Sequence, residues 1–349
     1  MASLAVPAAR SPSRAAARPI AVATWLFAVA ALVFAMVVVG GITRLTESGL
    51  SIVTWDVVSG TLPPLTDAAW QAQFDAYRTS SQYQLMNRGM TLVEFKGIFF
   101  WEYVHRLLGR LIGLAFALPL AWFWLRKAIP AGFKPRLLAL LALGGLQGTI
   151  GWWMVSSGLV GRTEVAHERL AVHLTLALAI MAGCLWTALD LRGAPVREAR
   201  PSPRPNRWVL PFAVLLVVQI VWGAFTAGLR AGHVTTEWPT MFGALIPPGL
   251  FTEAAALLND PATVVFVHRT LAYAVAAAAL AIAWTCWRRG AGVRALALGG
   301  MVAAQFVLGV LTVVHGVPIA LGVAHQGGAA LLVAATVWLA HWALEGRRA

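Results

Sequence analysis

"GGITRLTESGLSIVTW" (residues 40–55) and "GAFTAGLRAGHVTTEW" (residues 223–238) are one passage written twice. At a constant offset of 183, Gly40, Thr43, Gly49 and Trp55 fall on Gly223, Thr226, Gly232 and Trp238, and Gly60 and Pro64 continue onto Gly243 and Pro247. Further on, His105-Arg106 falls on His268-Arg269, Gln147 and Gly151 on Gln305 and Gly309, and His173 on His325. The offset drops from 183 to 152 because the loops of the second copy are shorter. A repeat of this length implies two copies of one structural unit.

Composition says what kind of unit it is. The chain has 349 residues, 59% hydrophobic and only 12% charged, with a mean hydropathy of +0.72. Soluble domains carry about 25% charged residues, so this is the composition of a membrane protein. A net charge of +13 would suggest nucleic acid in a soluble chain. Here the positive-inside rule accounts for it, and no nucleic-acid partner is expected. Cys184 and Cys286 both lie in apolar runs, which leaves neither a disulfide framework nor a zinc site.

Stretches near 20–41, 98–125, 137–157, 167–189, 208–228, 262–287, 294–314 and 318–343 are apolar and long enough to span a bilayer, for which about 20 residues suffice. Tryptophans gather at their ends, as at Trp122, Trp124, Trp152, Trp153, Trp208, Trp284 and Trp287, like an aromatic belt. The spacing therefore predicts an all-α polytopic membrane protein: eight transmembrane helices as two tandem, parallel four-helix bundles related by pseudo-twofold symmetry. The expected divisions are a tail (1–19), a first bundle with outer loop 42–97 (20–189), a basic linker (190–207) and a second bundle (208–349). Seventeen Lys and Arg residues fall on the side of the tail, the linker and the C-terminus, against six (Arg44, Arg78, Arg88, Lys96, Arg162, Arg230) on the other. Both termini are expected in the cytoplasm, or in the matrix for a mitochondrial protein. The Arg-rich tail reads as cytoplasmic, with an organelle transit peptide as the alternative.

Polar residues inside such spans cost several kcal/mol and mark function. Each copy carries one His in its second span and one in its fourth: His105 and His173, then His268 and His325. All four lie six to eight residues past the outer start of their predicted span, roughly 10 Å deep at 1.5 Å per residue. A lone membrane His commonly just hydrogen-bonds a neighbouring helix. Four at one depth, paired twice by a repeat, point to iron held between axial imidazoles of a haem in each bundle. Two His per bundle lack the further ligands zinc wants. Arg106 and Arg269 each follow a candidate ligand, where they can pair with haem propionates or snorkel outward. His167, His233, His315 and His341 have no repeat partner and are expected to be solvated residues at span ends.

The copies differ at Glu102, three residues before His105 and on the same helix face; its counterpart is Val265. A carboxylate there can pair with Arg106. Its presence beside one histidine pair only suggests chemistry at that pair alone, with Glu102 as an acid/base.

"GGITRLTESGLSIVTWDVVSGTLPP", "EFKGIFFWEYVHRLLGR", "QGTIGWWMVSSGL", "FVHRTLAY" and "HQGGAALL" together closely resemble the haem A synthase family in its bacterial and mitochondrial form, over residues 25 to 340. The resemblance implies oxidation of a ring methyl of haem O to the formyl group of haem A for cytochrome c oxidase, by two successive hydroxylations. It implies a bound haem b on His268 and His325, and a substrate site with His105, His173 and Glu102. It implies an electron partner and a haem O synthase upstream, in a bacterial cell membrane or the mitochondrial inner membrane; self-association is left open. The chain departs from the family in two places. Residues 42–97 lack the cysteine pair of another branch, and "VAHERLAVH" has His167 and Glu168 where a small residue and a tyrosine are expected. The rival readings are a dihaem electron-transfer protein and a haem carrier.

Overall fold

The first predicted span becomes α1 (Pro19–Leu45), whose buried Val22, Leu26, Val29, Val33 and Val37 recur at helical spacing and so form one inward stripe. The structure, a computed structural model, describes residues 17–56, 59–193 and 206–344. Most of the N-terminal tail and of the basic linker therefore lies outside the described residues. All eight predicted spans are helices long and apolar enough to cross a membrane. They are α1, α4 (Leu92–Leu125), α5 (Lys134–Ser156), α6 (His167–Gly193), α7 (Val209–Gly228), α9 (Pro261–Arg288), α10 (Val293–Val314) and α11 (Ile319–Leu344). Short α2 (Asp67–Arg78) and α3 (Ser81–Leu85) precede α4, and α8 (Ala256–Asn259) precedes α9. Among the described residues there is no strand, only an isolated bridge between Met241 and Ala244.

Local chemistry sets the ends. Thr91 and Glu94 form a reciprocal capping box, Glu94 Oε2 accepting from Thr91 N at 2.7 Å, which starts α4 six residues before the predicted span. At α9, Asp260 Oδ2 accepts from Thr263 N at 2.7 Å and Pro261 takes the first helical position, a pairing suited to a helix start.

Four helices form the centre. α1 packs along α6 and α11, and α6 packs on α7 and α11. The other four lie outside them, α4 against α1, α5 against α6, α9 against α7 and α10 against α11. Their outward faces carry exposed Leu111, Leu114, Leu118, Trp122, Leu146 and Trp284, the surface that lipid solvates.

Polar contacts tie the halves at both ends. At the end away from the long 46–91 segment, Asp190 of α6 accepts from Arg136 of α5 at 2.5 Å and faces His341 Nε2 of α11 at 3.0 Å. At the other, outer end, Arg44 pairs with Glu164 at 2.5 Å and donates to the carbonyl of Ala227, while Arg230 pairs with Glu47. Residues 44 and 227, like 47 and 230, are each 183 apart. Equivalent positions meet in this way when they lie beside a twofold relation between two copies.

α2 and α3 build a small outer layer over the start of α4. Phe74, Tyr77 and Tyr83 pack on Phe95 and Phe99, with Phe95 and Tyr77 fully buried. Tyr77 donates to Gln82 Oε1 at 3.0 Å and accepts from Asn87 at 2.7 Å; burial pushes its hydroxyl pKa up.

Candidate haem sites

Each of the four histidines lies against a glycine of a neighbouring helix. A Cβ built on Gly151 of α5 would stand 3.0 Å from the His173 ring, one on Gly223 of α7 3.0 Å from His268, and one on Gly309 of α10 3.0 Å from His325. Gly40 of α1 gives His105 slightly more room, at 3.6 Å. The missing side chains let each imidazole lie close to a neighbouring backbone, which fixes where the ring stands. The sequence paired all four glycines by the repeat, but assigned them no part in the site.

Two glutamines steady the rings of the fourth span in each copy. Gln147 Nε2 stands 3.2 Å from His173 Nδ1 and donates to the His173 carbonyl at 3.0 Å. Gln305 repeats this on His325, at 3.2 and 2.8 Å. The repeat paired these residues too; their helical spacing of four from Gly151 and Gly309 was the signal for a shared role.

His268 and His325 face each other with ring centroids 6.4 Å apart and planes at 88°. An iron bonded to a nitrogen of each ring at about 2 Å separates the ring centres by about 6 Å, so this pair fits a bis-imidazole haem. Among the described residues, no group of three or more His, Cys, Asp or Glu side chains is placed to hold a bare ion. An iron that brings its own equatorial ligands needs only two.

The arginines after the ligands occupy equivalent places with different partners. Arg106 donates to the Thr54 carbonyl at 2.7 Å, and Arg269 donates to that of Glu237, the repeat counterpart of residue 54, at 3.0 Å. Arg106 also gives Nε and Nη2 to Glu102 Oε1, at 3.0 and 2.6 Å. Arg269 has no carboxylate, and its Nε and Nη2 are buried without partners. Such donors are costly to leave unpaired, and a haem propionate is a group that satisfies them.

Glu102 is 3% exposed and fully engaged. Its Oε2 accepts from Ser51 Oγ at 2.8 Å and from Ile52 N at 2.7 Å, while Oε1 takes the two Arg106 bonds. At the equivalent place in the second copy, Val265 is buried in an apolar cluster with Ala231, Met241 and Val234. Val234 is the counterpart of Ser51. A whole polar contact in one copy is thus an apolar contact in the other. The Ser51/Val234 difference stands in the quoted repeat, where it was passed over.

The structure corrects two expectations about the unpaired histidines. His233 and His315 are exposed as anticipated, but His167 and His341 are only 4% and 7% exposed. His167 Nε2 meets the Leu258 carbonyl at 2.8 Å and its ring stands edge-on to Phe225; His341 meets Asp190. Both partners are distant in sequence, so position at a span end did not reveal them. Cys184 and Cys286 are free and buried, as expected. Nor do the four histidines sit equally far along their helices: His105 is thirteen residues from the start of α4, the others six or seven from theirs. The capping box and the layer of α2 and α3 lengthen α4 at the end that carries the 46–91 segment.

Eight apolar helices carrying two repeat-related histidine pairs define a polytopic membrane protein with a candidate bis-histidine site in each repeat. Comparison with known proteins then specifies the family. The family model described as cytochrome oxidase assembly protein (COX15-CtaA) matches residues 23–337. The chain is 48% identical to the Heme A synthase of Rhodospirillum centenum, over 98% of this chain and 93% of that protein. It is 51% identical to that of Novosphingobium aromaticivorans (96% and 98%) and 50% identical to that of Rhizorhabdus wittichii (98% and 98%). The chain belongs to this cytochrome oxidase assembly family, the family of the haem A synthases.

Proposed function

We propose that this chain is a haem A synthase, oxidising a ring methyl of haem O to the formyl group of haem A for cytochrome c oxidase, with residues 20–189 as the substrate half and 208–349 as the cofactor half. The observation that carries the division is the exchange of Glu102 and Ser51 for Val265 and Val234. A symmetric electron carrier has no use for a buried, four-bonded carboxylate at one haem and an apolar contact at the other.

In the second half, His268 and His325 would hold a haem b, and Arg269, with two unpartnered donors, would take a propionate. When bound, that haem supplies one-electron chemistry. In the first half, His105 and His173 fix the iron of haem O, and Gly40, Gly151 and Gln147 position the two rings. Methyl to aldehyde is a four-electron oxidation that adds one oxygen; the electrons would pass to the electron partner that the family resemblance implies, and Glu102 would take a proton that leaves the methyl carbon. Its Oε1 is bonded only to Arg106. A substrate propionate that draws Arg106 away therefore exposes one carboxylate oxygen, while Ser51 and Ile52 hold the other.

The protein is multi-pass, and we place it in a bacterial inner membrane with both termini in the cytoplasm. The seventeen-to-six distribution of basic residues supports this, although seven of the seventeen lie outside the described residues. Reporter fusions in 190–207 that behave as periplasmic would overturn the orientation. A haem O synthase is the class of enzyme that must supply the substrate.

The test of function is chromatography of the haem extracted from purified protein. Haem B together with haem O, haem A or a partly oxidised haem supports the synthase; haem B alone in both sites supports the carrier.

A further inference from the structure

α9 packs along α10, but α4 meets its equivalent partner α5 over only a short stretch. The α9–α10 seam is lined by Tyr273, Ala276, Leu280, Val302, Ala303, Phe306 and Val307, around a groove of about 330 Å³. At the offsets that align the histidines and glutamines, 163 and 158, the first copy has Gly113, Ala117, Gly144, Gly145 and Gly148 in place of Ala276, Leu280, Val302, Ala303 and Phe306. It thereby lacks one side-chain heavy atom at 113, three at 117, three at 144, one at 145 and seven at 148.

Small residues in membrane helices ordinarily let backbones approach closely. That account fails here. A Cβ added at Gly113, Gly144, Gly145 or Gly148 would meet nothing within 4 Å, and Gly144 is exposed where Val302 is 3% exposed. Each glycine in a helix interior also costs roughly 1 kcal/mol relative to alanine, with no contact to offset it. The opening ends at the histidines. Gly148 precedes Gly151, which abuts His173, by less than one turn, and Gly113 follows His105 by two.

We propose that the α4–α5 seam is a lateral slot for the isoprenoid chain of haem O, open to the bilayer just inward of His105 and His173. This rests on the first half being the substrate site. Haem O differs from haem b by that long apolar chain, and the copies differ in the same sense: the cofactor half narrows its seam with Val302 and Phe306, and the substrate half has glycine at both places. Lipid is as apolar as an isoprenoid chain, so the slot supplies room rather than attraction. It sets which haem each half accepts.

The experiment titrates purified, haem b-loaded protein in detergent with haem O and with haem B, reading first-site binding from the additional low-spin absorbance. Gly148→Phe, which installs the residue of position 306, and Gly113→Leu, on the facing helix, are each expected to weaken haem O binding about tenfold or more by overfilling the slot. Haem B, having no chain, should bind both variants as it binds the wild type, and Gly148→Ala should leave both ligands unaffected. An undiminished haem b spectrum verifies folding in each variant, and the two variants alter different helices. Unchanged haem O binding in both overturns the slot, as does equal weakening for haem O and haem B. If His105→Ala also leaves haem O binding unchanged, the substrate-half assignment fails instead.

Discussion

Substituting Gly309 by alanine tests whether the glycines seat the histidines. The new Cβ would stand 3.0 Å from Cε1 of His325, about 0.5–1 Å inside the favourable carbon–carbon separation. Without haem, the ring can turn away. With iron bonded it cannot, because ligation fixes the direction of the ring, so the strain falls on the haem complex. Overpacking of this kind costs about 1–3 kcal/mol, which weakens haem affinity about 5- to 150-fold. Gly223→Ala carries the same 3.0 Å contact to His268 and should behave alike, while Gly40→Ala, at 3.6 Å from His105, makes an ordinary contact and should be mild. The assay is transfer of haem b from purified protein to excess apomyoglobin, followed by absorbance. Wild-type rates of haem loss in both Gly309→Ala and Gly223→Ala would refute the reasoning and reduce the glycines to helix-packing residues.

The remaining predictions separate the two halves. Glu102→Ala, and Glu102→Gln almost as severely, should fold and keep haem b while haem A production falls about 10²–10⁴-fold and haem O accumulates; normal haem A levels in Glu102→Gln cells would make Glu102 an ion-pair residue only. Val265→Glu should not rescue them, because the substrate is not held there. His268→Ala or His325→Ala should remove most of the stably bound low-spin haem, and wild-type spectra in both would put the cofactor elsewhere. Phe95→Ala removes a fully buried ring that packs on Phe74, Tyr77 and Phe99, at a cost of about 3–5 kcal/mol. It should abolish haem O binding before haem b retention; equal loss of both would mean that the outer layer supports the whole protein.

The spans were legible because a bilayer demands long apolar runs, a requirement every sequence must meet openly. The candidate ligands stood out in the sequence because the repeat paired them: a lone His105 would have carried little meaning, but one aligned with His268 did. Contacts between distant segments were not. Nothing near His341 in sequence indicates Asp190, 151 residues away, and nothing near His167 indicates the carbonyl of Leu258. The layer formed by α2 and α3 was likewise hidden, since its aromatic residues lie in a mostly polar stretch that reads simply as a loop. Ser51 is the intermediate case. Its replacement by Val234 could be read from the repeat, but only the structure puts it on Glu102.

The open α4–α5 seam raises the question of what holds α4 in place. A helix that gives up packing on one neighbour must be fixed by others, or its ligand will not stay in register with His173. α4 is fixed at its outer end. The capping box, the aromatic layer on Phe95 and Phe99, and the bonds from Glu102 and Arg106 to Ser51, Ile52 and Thr54 all act within the first fifteen residues of the helix. Among the described residues the second copy has no comparable cluster of buried aromatic rings; its loop packs Ala231, Met241 and Val234 around Val265, and α9 also packs along α10. On the opposite side of the first bundle, α1 and α6 lie closely together, while α7 and α11 touch only lightly. Each half is therefore firm on one side and loose on the other, and the sides differ. The 46–91 segment of the first copy is thus the structural counterpart of its open seam: it holds the first turns of α4, which leaves the flank facing α5 free for the proposed substrate chain.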